Sequence, residues 1–174
     1  ALIVQKYGGT SVADIERIRN VAQRVIKTYD QGHEVVVILS AMAGITDRLI
    51  GMAQEVSETP DRRELDVLLA TGEQTTSALL AMILNAIDYP AQSLMGHQAE
   101  VVTDRCFGNA RILDIRTDRI KDLLAKRNIV VIAGFQGCDP LGNITTLGRG
   151  GSDTSAVAIA AALAADVCEI YTDV

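Results

Sequence analysis

The sequence has no tryptophan, few other aromatic residues and only two histidines, and each shortage excludes a class of function. Of its 174 residues, 3% are aromatic, and the formal net charge is −6. Binding of nucleic acid relies on a basic stripe or on stacking aromatic rings, so we expect no nucleic-acid partner. The two histidines, His33 and His97, stand in no metal-ligand spacing, and the G-x-S-x-G motif of a serine hydrolase is absent.

Cysteine and long apolar runs are also scarce. The three cysteines, Cys106, Cys138 and Cys168, are odd in number and far apart, which argues against a disulfide framework or a C-x-x-C metal site. No run of about 18 apolar residues is free of polar interruption, and no secretory signal pattern opens the chain. We therefore expect no membrane partner, no metal site built from protein ligands, and a cytoplasmic protein. The length predicts one domain that buries roughly 70% of its unfolded surface.

Continuous apolar runs alternate with amphipathic segments along the chain. Ser11 and Asp14 form an S-x-x-D capping pattern ahead of a helix that ends at Gly32, and Gly142-Asn143 predicts a hairpin turn within the glycine-rich loop 134–151. The other predicted helices span 46–57, 63–87, 117–126 and 152–165, and the strands span 2–4, 35–39, 90–95, 101–102, 112–113, 129–133 and 167–172. Because the main strands are continuously apolar, we predict an α/β fold with a mainly parallel open sheet and helices on both faces.

Three of these strands lead into loops of glycine and other small residues, at 6–11, 40–44 and 134–137. The carboxyl ends of parallel strands gather at one edge of the sheet, where ligands bind. Glycines allow backbone N–H groups to approach an anion, and helix N-termini add positive potential. Each loop alone could be an ordinary turn, but the three together favour a phosphate site. The P-loop and G-x-G-x-x-G motifs are absent, which excludes a P-loop NTPase and an ordinary dinucleotide-binding protein.

Charged residues stand beside two of the glycine segments. Lys6 precedes Gly8-Gly9, where it could hold a point charge against phosphate oxygens or could be a surface lysine on a sheet edge. Within residues 148–153, Arg149 could clamp a carboxylate. The backbone amides at the start of the helix that Ser152 caps could bind an anion. Asp153 lies in the first turn of that helix, where a negative charge suits the positive end of the helix dipole. This could be its whole role, or it could have a function in the site as well.

Glu73 is the only charged residue between Asp66 and Asp88, and its neighbours are small and uncharged. A glutamate on a mostly buried helix needs a partner. That partner could be an internal cation such as Arg149 or the ammonium group of a ligand, and we favour the ligand.

Five blocks together resemble those of the aspartokinases, within the amino acid kinase superfamily, and they occur in the family order. The signature K-[FY]-G-G-[ST]-S is similar to residues 6–11. The full set is Lys6-Tyr7-Gly8-Gly9-Thr10-Ser11-Val12, Val36-Val37-Ile38-Leu39-Ser40-Ala41-Met42, Thr71-Gly72-Glu73, Ala133-Gly134-Phe135-Gln136-Gly137 and Thr145-Thr146-Leu147-Gly148-Arg149-Gly150-Gly151-Ser152-Asp153. The resemblance implies a single kinase-type catalytic domain that makes β-aspartyl phosphate from L-aspartate and ATP with Mg²⁺, on the route to lysine, threonine and methionine.

The same resemblance implies roles for individual residues. Lys6 and the amides of Gly8 and Gly9 would hold the transferring phosphoryl group, and Asp153 would orient Lys6. Aspartate would be bound by Thr46, Glu73, Arg149 and Ser152, with Glu73 on its amino group and Arg149 on a carboxylate. The remaining phosphate- or ATP-binding residues would be Tyr7, Ser40, Gly150, Gly151, Thr172 and Asp173, and Mg²⁺ would be held mainly through the ATP phosphates.

The family continues beyond its [TS]-D-V strand end with a segment like D-G-V-[YF]-[TS]-x-D-P-R that covers the nucleotide, and then with regulatory domains of the ACT type. We therefore expect this chain to be the N-terminal part of a catalytic domain, inactive or weakly active alone, with an exposed last strand and a homo-oligomeric assembly. Two alternatives stay open. One is a kinase for another acid such as N-acetylglutamate, and the other is a non-catalytic binding or assembly module with the same fold.

Overall fold

The computed structural model describes residues 1–148 and 150–172, which form two sheets and five α-helices. The strands are β1 (Leu2–Tyr7), β2 (Glu34–Leu39), β3 (Ala91–Leu94), β4 (Val101–Thr103), β5 (Ile112–Ile115), β6 (Ile129–Ala133), β7 (Gln136–Cys138), β8 (Ile144–Thr146) and β9 (Val167–Tyr171). The helices are α1 (Ile15–Asp30), α2 (Ile45–Val56), α3 (Arg62–Ala86), α4 (Asp118–Ala125) and α5 (Gly151–Ala162).

The larger sheet is fully parallel, with strand order β3-β6-β2-β1-β9. Its central strands are apolar on both sides because helices cover both faces. The alternate residues Val35, Val37 and Leu39 of β2 pack with α1 and α3, whereas Val36 and Ile38 pack with α4 and α5. This three-layer α/β arrangement confirms the predicted fold class.

The second sheet was not predicted as a sheet. It has the order β5-β4-β7-β8, with antiparallel pairing except between β4 and β7. The predicted turn at Gly142 joins β7 to β8, with Gly142 at a φ of 86°. The Asp139 carboxylate holds this turn by accepting hydrogen bonds from the N–H groups of Leu141 and Asn143. Burial alone would raise the pKa of Asp139, but these bonds and others from Asn143 lower it.

Two helix starts differ from their predictions. Ser11 lies in a short 3₁₀ turn (Gly9–Val12) ahead of α1, and Asp14 alone caps α1 by accepting from the Arg17 N–H. Ser152 does not cap α5, because the helix already begins at Gly151 and its N-cap is Gly150. Gly150 has a φ of 76°, a left-handed conformation that glycine adopts without steric cost.

Among the described residues, one helix is long and apolar enough to cross a membrane by length and composition. This is α3, with a mean hydropathy of 1.4 over an 18-residue window, half of which is buried. It packs against α1, α2 and strands of both sheets, so its apolar residues belong to the protein core. The absence of a membrane partner stays a prediction.

Strand β9 forms one edge of the larger sheet, as predicted for the last strand. It pairs with β1 on one side, and Val167 and Ile170 are each 43% exposed. A partly apolar open edge is a surface on which further chain or another protein can pair. The predicted homo-oligomer stays a prediction.

Candidate active site

A cavity of about 750 Å³ opens at the carboxyl edge of the parallel sheet, where the three glycine-containing loops meet. Its wall includes eight predicted site residues: Lys6, Ser40, Thr46, Glu73, Gly150, Gly151, Ser152 and Asp153. They come from β1, the loop after β2, and helices α2, α3 and α5. The parallel topology thus gathers residues that are up to 147 positions apart in the sequence, counted from Lys6 to Asp153.

Lys6 and Asp153 form an ion pair in this cavity, with 2.8 Å between Lys6 Nζ and Asp153 Oδ1. The Lys6 side chain is 10% exposed, whereas that of Asp153 is 54% exposed. A largely buried ammonium needs an opposite charge or hydrogen-bond acceptors, and Asp153 supplies one from the first turn of α5. The pair fixes the lysine head group at the end of β1 beside the start of α5.

Gly8 lies beside the Lys6 ammonium, and Gly9 allows the loop after β2 to approach the end of β1. A Cβ on Gly8 would lie 3.7 Å from Lys6 Nζ, and one on Gly9 would lie only 3.0 Å from the Ala41 carbonyl oxygen. The Gly8 N–H donates to the Tyr171 carbonyl oxygen at 3.1 Å. The predicted binding of phosphate by the Gly8 amide would therefore require this bond to break.

Tyr7 and Thr172 do not line the cavity. The Tyr7 ring is fully buried, stacks on Tyr171 at 5.0 Å between centroids, and donates its hydroxyl to Gln5. The pKa of Tyr7 is raised above its ordinary value. Burial is the main cause, and electrostatic repulsion from Tyr171 is the second. The Thr172 carbonyl oxygen accepts hydrogen bonds from the hydroxyls of Thr10 and Ser11, which fixes the end of β9 against the 3₁₀ turn. A direct phosphate contact by the Tyr7 side chain is not compatible with this packing.

The start of α5 lies against the loop after β6. A Cβ on Gly134 would lie 3.1 Å from Ser152 Oγ, and one on Gly151 would lie 2.4 Å from Phe135 Cδ1. Only glycine permits this close approach of helix and loop. Gly151, Ser152 and Asp153 of the first turn of α5 line the cavity, and the backbone N–H groups at a helix start can bind an anion.

Glu73 is 3% exposed, and its Oε1 has no hydrogen-bond partner among the described residues. Burial raises its pKa from 4.5 to about 7, although its own backbone N–H and that of Ala41 act in the opposite direction. A buried carboxylate with an open acceptor is costly unless a donor or cation reaches it. Glu73 faces the same cavity as the Lys6–Asp153 pair.

Asp66 also lines the cavity, and sequence reasoning did not select it as a site residue. It is fully buried, and its Oδ2 accepts hydrogen bonds from the N–H groups of Thr146 (2.8 Å) and Gly108 (3.0 Å). Its Oδ1 accepts from Thr146 Oγ1 at 2.9 Å. Asp66 thus ties α3 to the end of β8 and to the loop before β5, and both segments form the cavity wall.

Comparison with known proteins gives the family. The sequence pattern of the Amino acid kinase family matches residues 1–174. The chain belongs to the amino acid kinase family. The resemblance to the aspartokinases is confirmed by similar proteins. An aspartokinase of Bacillus sp. (strain MGA3) is 58% identical over 173 residues, and aspartokinase 2 of Bacillus subtilis is 56% identical over 173 residues. Each of these matches covers 99% of this chain and 42% of the relative, so the chain spans less than half the length of either.

Solved structures of amino acid kinase family relatives share the fold. An aspartate kinase from Synechocystis superposes with a TM-score of 0.85 at 55% identity, over 100% of this chain and 29% of that chain. E. coli aspartokinase III in complex with aspartate and ADP superposes with a TM-score of 0.88 at 27% identity, over 100% of this chain and 49% of that chain.

Two predicted site residues, Arg149 and Asp173, lie outside the described residues. In the part of the chain that is described, no three His, Cys, Asp or Glu side chains converge as a metal-binding group. The described residues therefore do not fit a resident metal ion held by protein ligands alone.

Proposed function

We propose that this chain supplies the aspartate- and phosphate-binding part of an aspartokinase, which transfers a phosphoryl group from ATP to the β-carboxylate of L-aspartate. The observation that carries the proposal is the open acceptor of buried Glu73 in the same cavity as the Lys6–Asp153 ion pair. An anionic acceptor for an ammonium group and a cation for phosphate oxygens are the two features that this reaction needs. The named aspartokinase relatives support the same assignment.

Aspartate binds with its ammonium group on Glu73. The ammonium supplies both the positive charge and the donors that the buried carboxylate lacks, and its arrival favours the ionised form of Glu73. Thr46 and Ser152 line the same cavity and offer hydroxyl groups to the substrate carboxylates. The bidentate contact with a carboxylate is assigned to Arg149 on the resemblance to the aspartokinases alone. The β-carboxylate then points toward Lys6.

Phosphoryl transfer uses positioning and charge rather than a general base. A free aspartate β-carboxylate has a pKa near 3.9, so it is already ionised and nucleophilic at neutral pH. The main obstacle is the repulsion between this anion and the triphosphate. Lys6, held by Asp153, and the N–H groups at the start of α5 offset that repulsion, while the nucleotide brings its own magnesium.

The two alternatives differ in what they require of Glu73. An N-acylated substrate such as N-acetylglutamate has no ammonium, so it would leave the Glu73 carboxylate buried and unpaired. A non-catalytic module would not need Lys6 and Asp153 to be paired at the cavity. Both observations favour a kinase that acts on a free amino acid.

Activity is tested on the full-length protein with aspartate, ATP and Mg²⁺, with hydroxylamine present to trap the acyl phosphate. Calorimetry then compares L-aspartate with N-acetyl-L-aspartate, which keeps both carboxylates but lacks the ammonium. We expect turnover and binding only with the free amino acid. Turnover of N-acetylglutamate would favour the first alternative, and aspartate binding without any acyl phosphate would favour the second.

The same proposal extends to the setting of the protein. The product would serve the routes to lysine, threonine and methionine, and the cytoplasm would supply both substrates. Strand β9, with its open edge, is the surface on which the remainder of a catalytic domain or a second copy would pair. Sedimentation velocity on the full-length protein measures whether it forms the expected homo-oligomer.

A further inference from the structure

One turn of α3 is in close contact with the loop that follows β2. Thr76 Oγ1 donates a hydrogen bond of 2.7 Å to the Ser40 carbonyl oxygen, with the Glu73 carbonyl as a more distant second acceptor at 3.2 Å. Gly72, one turn earlier, permits the approach, because a Cβ there would lie 2.8 Å from Ala41 Cβ. The loop is therefore held to α3 on both sides of Glu73.

These contacts place Ala41 against the helix turn that carries Glu73, and both residues line the cavity. Ala41 is 6% exposed, and its N–H favours the ionised form of Glu73 against the effect of burial. Ala41 is also the residue that follows Ser40, whose carbonyl Thr76 holds. A displacement of the Ser40 carbonyl would move the adjoining Ala41 N–H as well, since the two groups belong to the same peptide unit.

We propose that Thr76 is a positioning residue for substrate binding, which anchors the Ser40–Ala41 peptide so that its N–H supports the Glu73 carboxylate and its loop closes the cavity. This inference rests on the proposed function, because it takes Glu73 as the group that receives the substrate ammonium.

Among the residues that the structure describes, the other charged groups that line the cavity, Lys6, Asp66 and Asp153, do not support Glu73. Lys6 is paired with Asp153, and Asp66 is held by backbone N–H groups and the Thr146 hydroxyl. Among the described residues, none of them forms a hydrogen bond or ion pair with Glu73 Oε1. Loss of the Ala41 contact would therefore leave only the N–H of Glu73 itself to oppose the effect of burial, and the pKa of Glu73 would rise above its present value of about 7.

The chain offers a matched control at the neighbouring position. Thr75 is exposed, and its hydroxyl donates to the Thr71 carbonyl oxygen of the same helix at 2.8 Å. Thr75→Val and Thr76→Val make the same chemical change on adjacent residues of α3. Only the change at Thr76 removes a bond to the loop. Thr76→Ser keeps the hydroxyl and should restore the contact.

The test measures Glu73 in two ways in the full-length protein. Calorimetry gives the dissociation constant of L-aspartate from pH 6 to pH 9, and urea unfolding without ligand gives the pH dependence of stability. Each series gives a pH midpoint at which Glu73 loses its proton, one from aspartate binding and one from ligand-free stability. We expect Thr76→Val to move both pH midpoints upward. A tenfold increase in the proton affinity of Glu73 lowers its ionised fraction at pH 7.5, and hence aspartate affinity, about threefold. Thr75→Val and Thr76→Ser should behave as the wild type does.

The ligand-free profile separates this inference from the proposed function. If the wild type binds no aspartate, the proposed function fails. The pH midpoint of ligand-free stability still reports whether Thr76 supports Glu73. If Thr76→Val folds poorly, Gly72→Ala pushes the same peptide away through its extra Cβ and should give the same upward movement. A loss of stability with unchanged midpoints in both variants would overturn the inference and leave Thr76 a purely structural residue.

Discussion

Replacement of Glu73 by glutamine should stabilise the ligand-free protein, and the gain should depend on pH. The pKa of the folded carboxyl is raised from 4.5 to about 7, chiefly by burial. The folded state thus holds the proton more tightly than the unfolded state does. The stability contributed by the protonated group is fully present below about pH 4.5 and is lost as the pH rises through 7.

The size of the effect follows from the same pKa change. A rise of about 2.5 pKa units, at roughly 1.4 kcal/mol each, makes the ionised carboxyl cost about 3 kcal/mol above pH 7. Glutamine has no charge to desolvate, although its buried amide also lacks partners, so about 3 kcal/mol is an upper bound. At pH 8 we expect a gain of about 1–3 kcal/mol, and at pH 4.5 almost none.

Urea unfolding of the wild type and Glu73→Gln at these two pH values measures the gain, and calorimetry measures aspartate binding in parallel. Glu55→Gln is the control, because Glu55 is an exposed glutamate on α2 and its replacement should change stability little. Aspartate affinity should fall by about 1.5–3 kcal/mol in Glu73→Gln alone. A destabilised Glu73→Gln at pH 8 would refute the reasoning, since it would show that an internal cation pairs with Glu73.

Two further predictions concern Lys6 and Asp66. Lys6→Met should lower kcat in the hydroxylamine assay by a factor equivalent to about 3 kcal/mol or more, with little change in aspartate affinity; near-normal turnover would contradict its assigned role. Asp66→Ala should reduce the free energy of unfolding by roughly 2–5 kcal/mol, because it leaves the N–H groups of Thr146 and Gly108 without their acceptor. Asp66→Asn keeps an acceptor oxygen and should lose much less; equal losses would indicate that charge, and not hydrogen bonding, is what the site requires.

The parallel sheet could be predicted because its signal is local. Its central strands contain continuous apolar runs, such as Val35–Leu39, and helix α1 between β1 and β2 has one apolar face. The second sheet gave a weaker signal, because short apolar pairs predicted two of its strands, β4 and β5, but nothing predicted β7 and β8 as strands. Strand β7 is only Gln-Gly-Cys. On the strands to either side of it, the buried hydroxyls of Thr103 (β4) and Thr145 (β8) form a hydrogen bond of 2.6 Å. Gly137 permits the close contact with β4, since a Cβ there would lie 2.4 Å from the Val101 carbonyl oxygen. Polar pairing and close backbone contact leave no apolar pattern in the sequence.

The sequence predicted the side chains that line the cavity more fully than the backbone contacts around them. The parallel topology explains why Lys6, Glu73 and Asp153 meet, since the loops at the carboxyl ends of the strands share one edge. Capping by Ser152 was wrong because glycine at 150 takes the N-cap position in a left-handed conformation. The N–H of Gly8 is bonded to β9, a strand more than 160 residues further along the chain. Backbone hydrogen bonds of this kind depend on tertiary pairing that local sequence does not express.

Asp66 and Glu73 show how far the same residue class can differ in role. They lie seven residues apart on α3, about two helical turns, so they project from one side of the helix into one cavity. Asp66 accepts three hydrogen bonds from segments 42 and 80 residues away in sequence, whereas Glu73 keeps an open oxygen. The buried Asp66 carboxylate, whose acceptors are satisfied, fixes the wall of the cavity, whereas the open acceptor of Glu73 calls for a partner. Helix α3 thus holds the wall through Asp66 and the loop through Thr76, and it leaves Glu73 Oε1 without a partner among the described residues, as our proposal for the substrate ammonium requires.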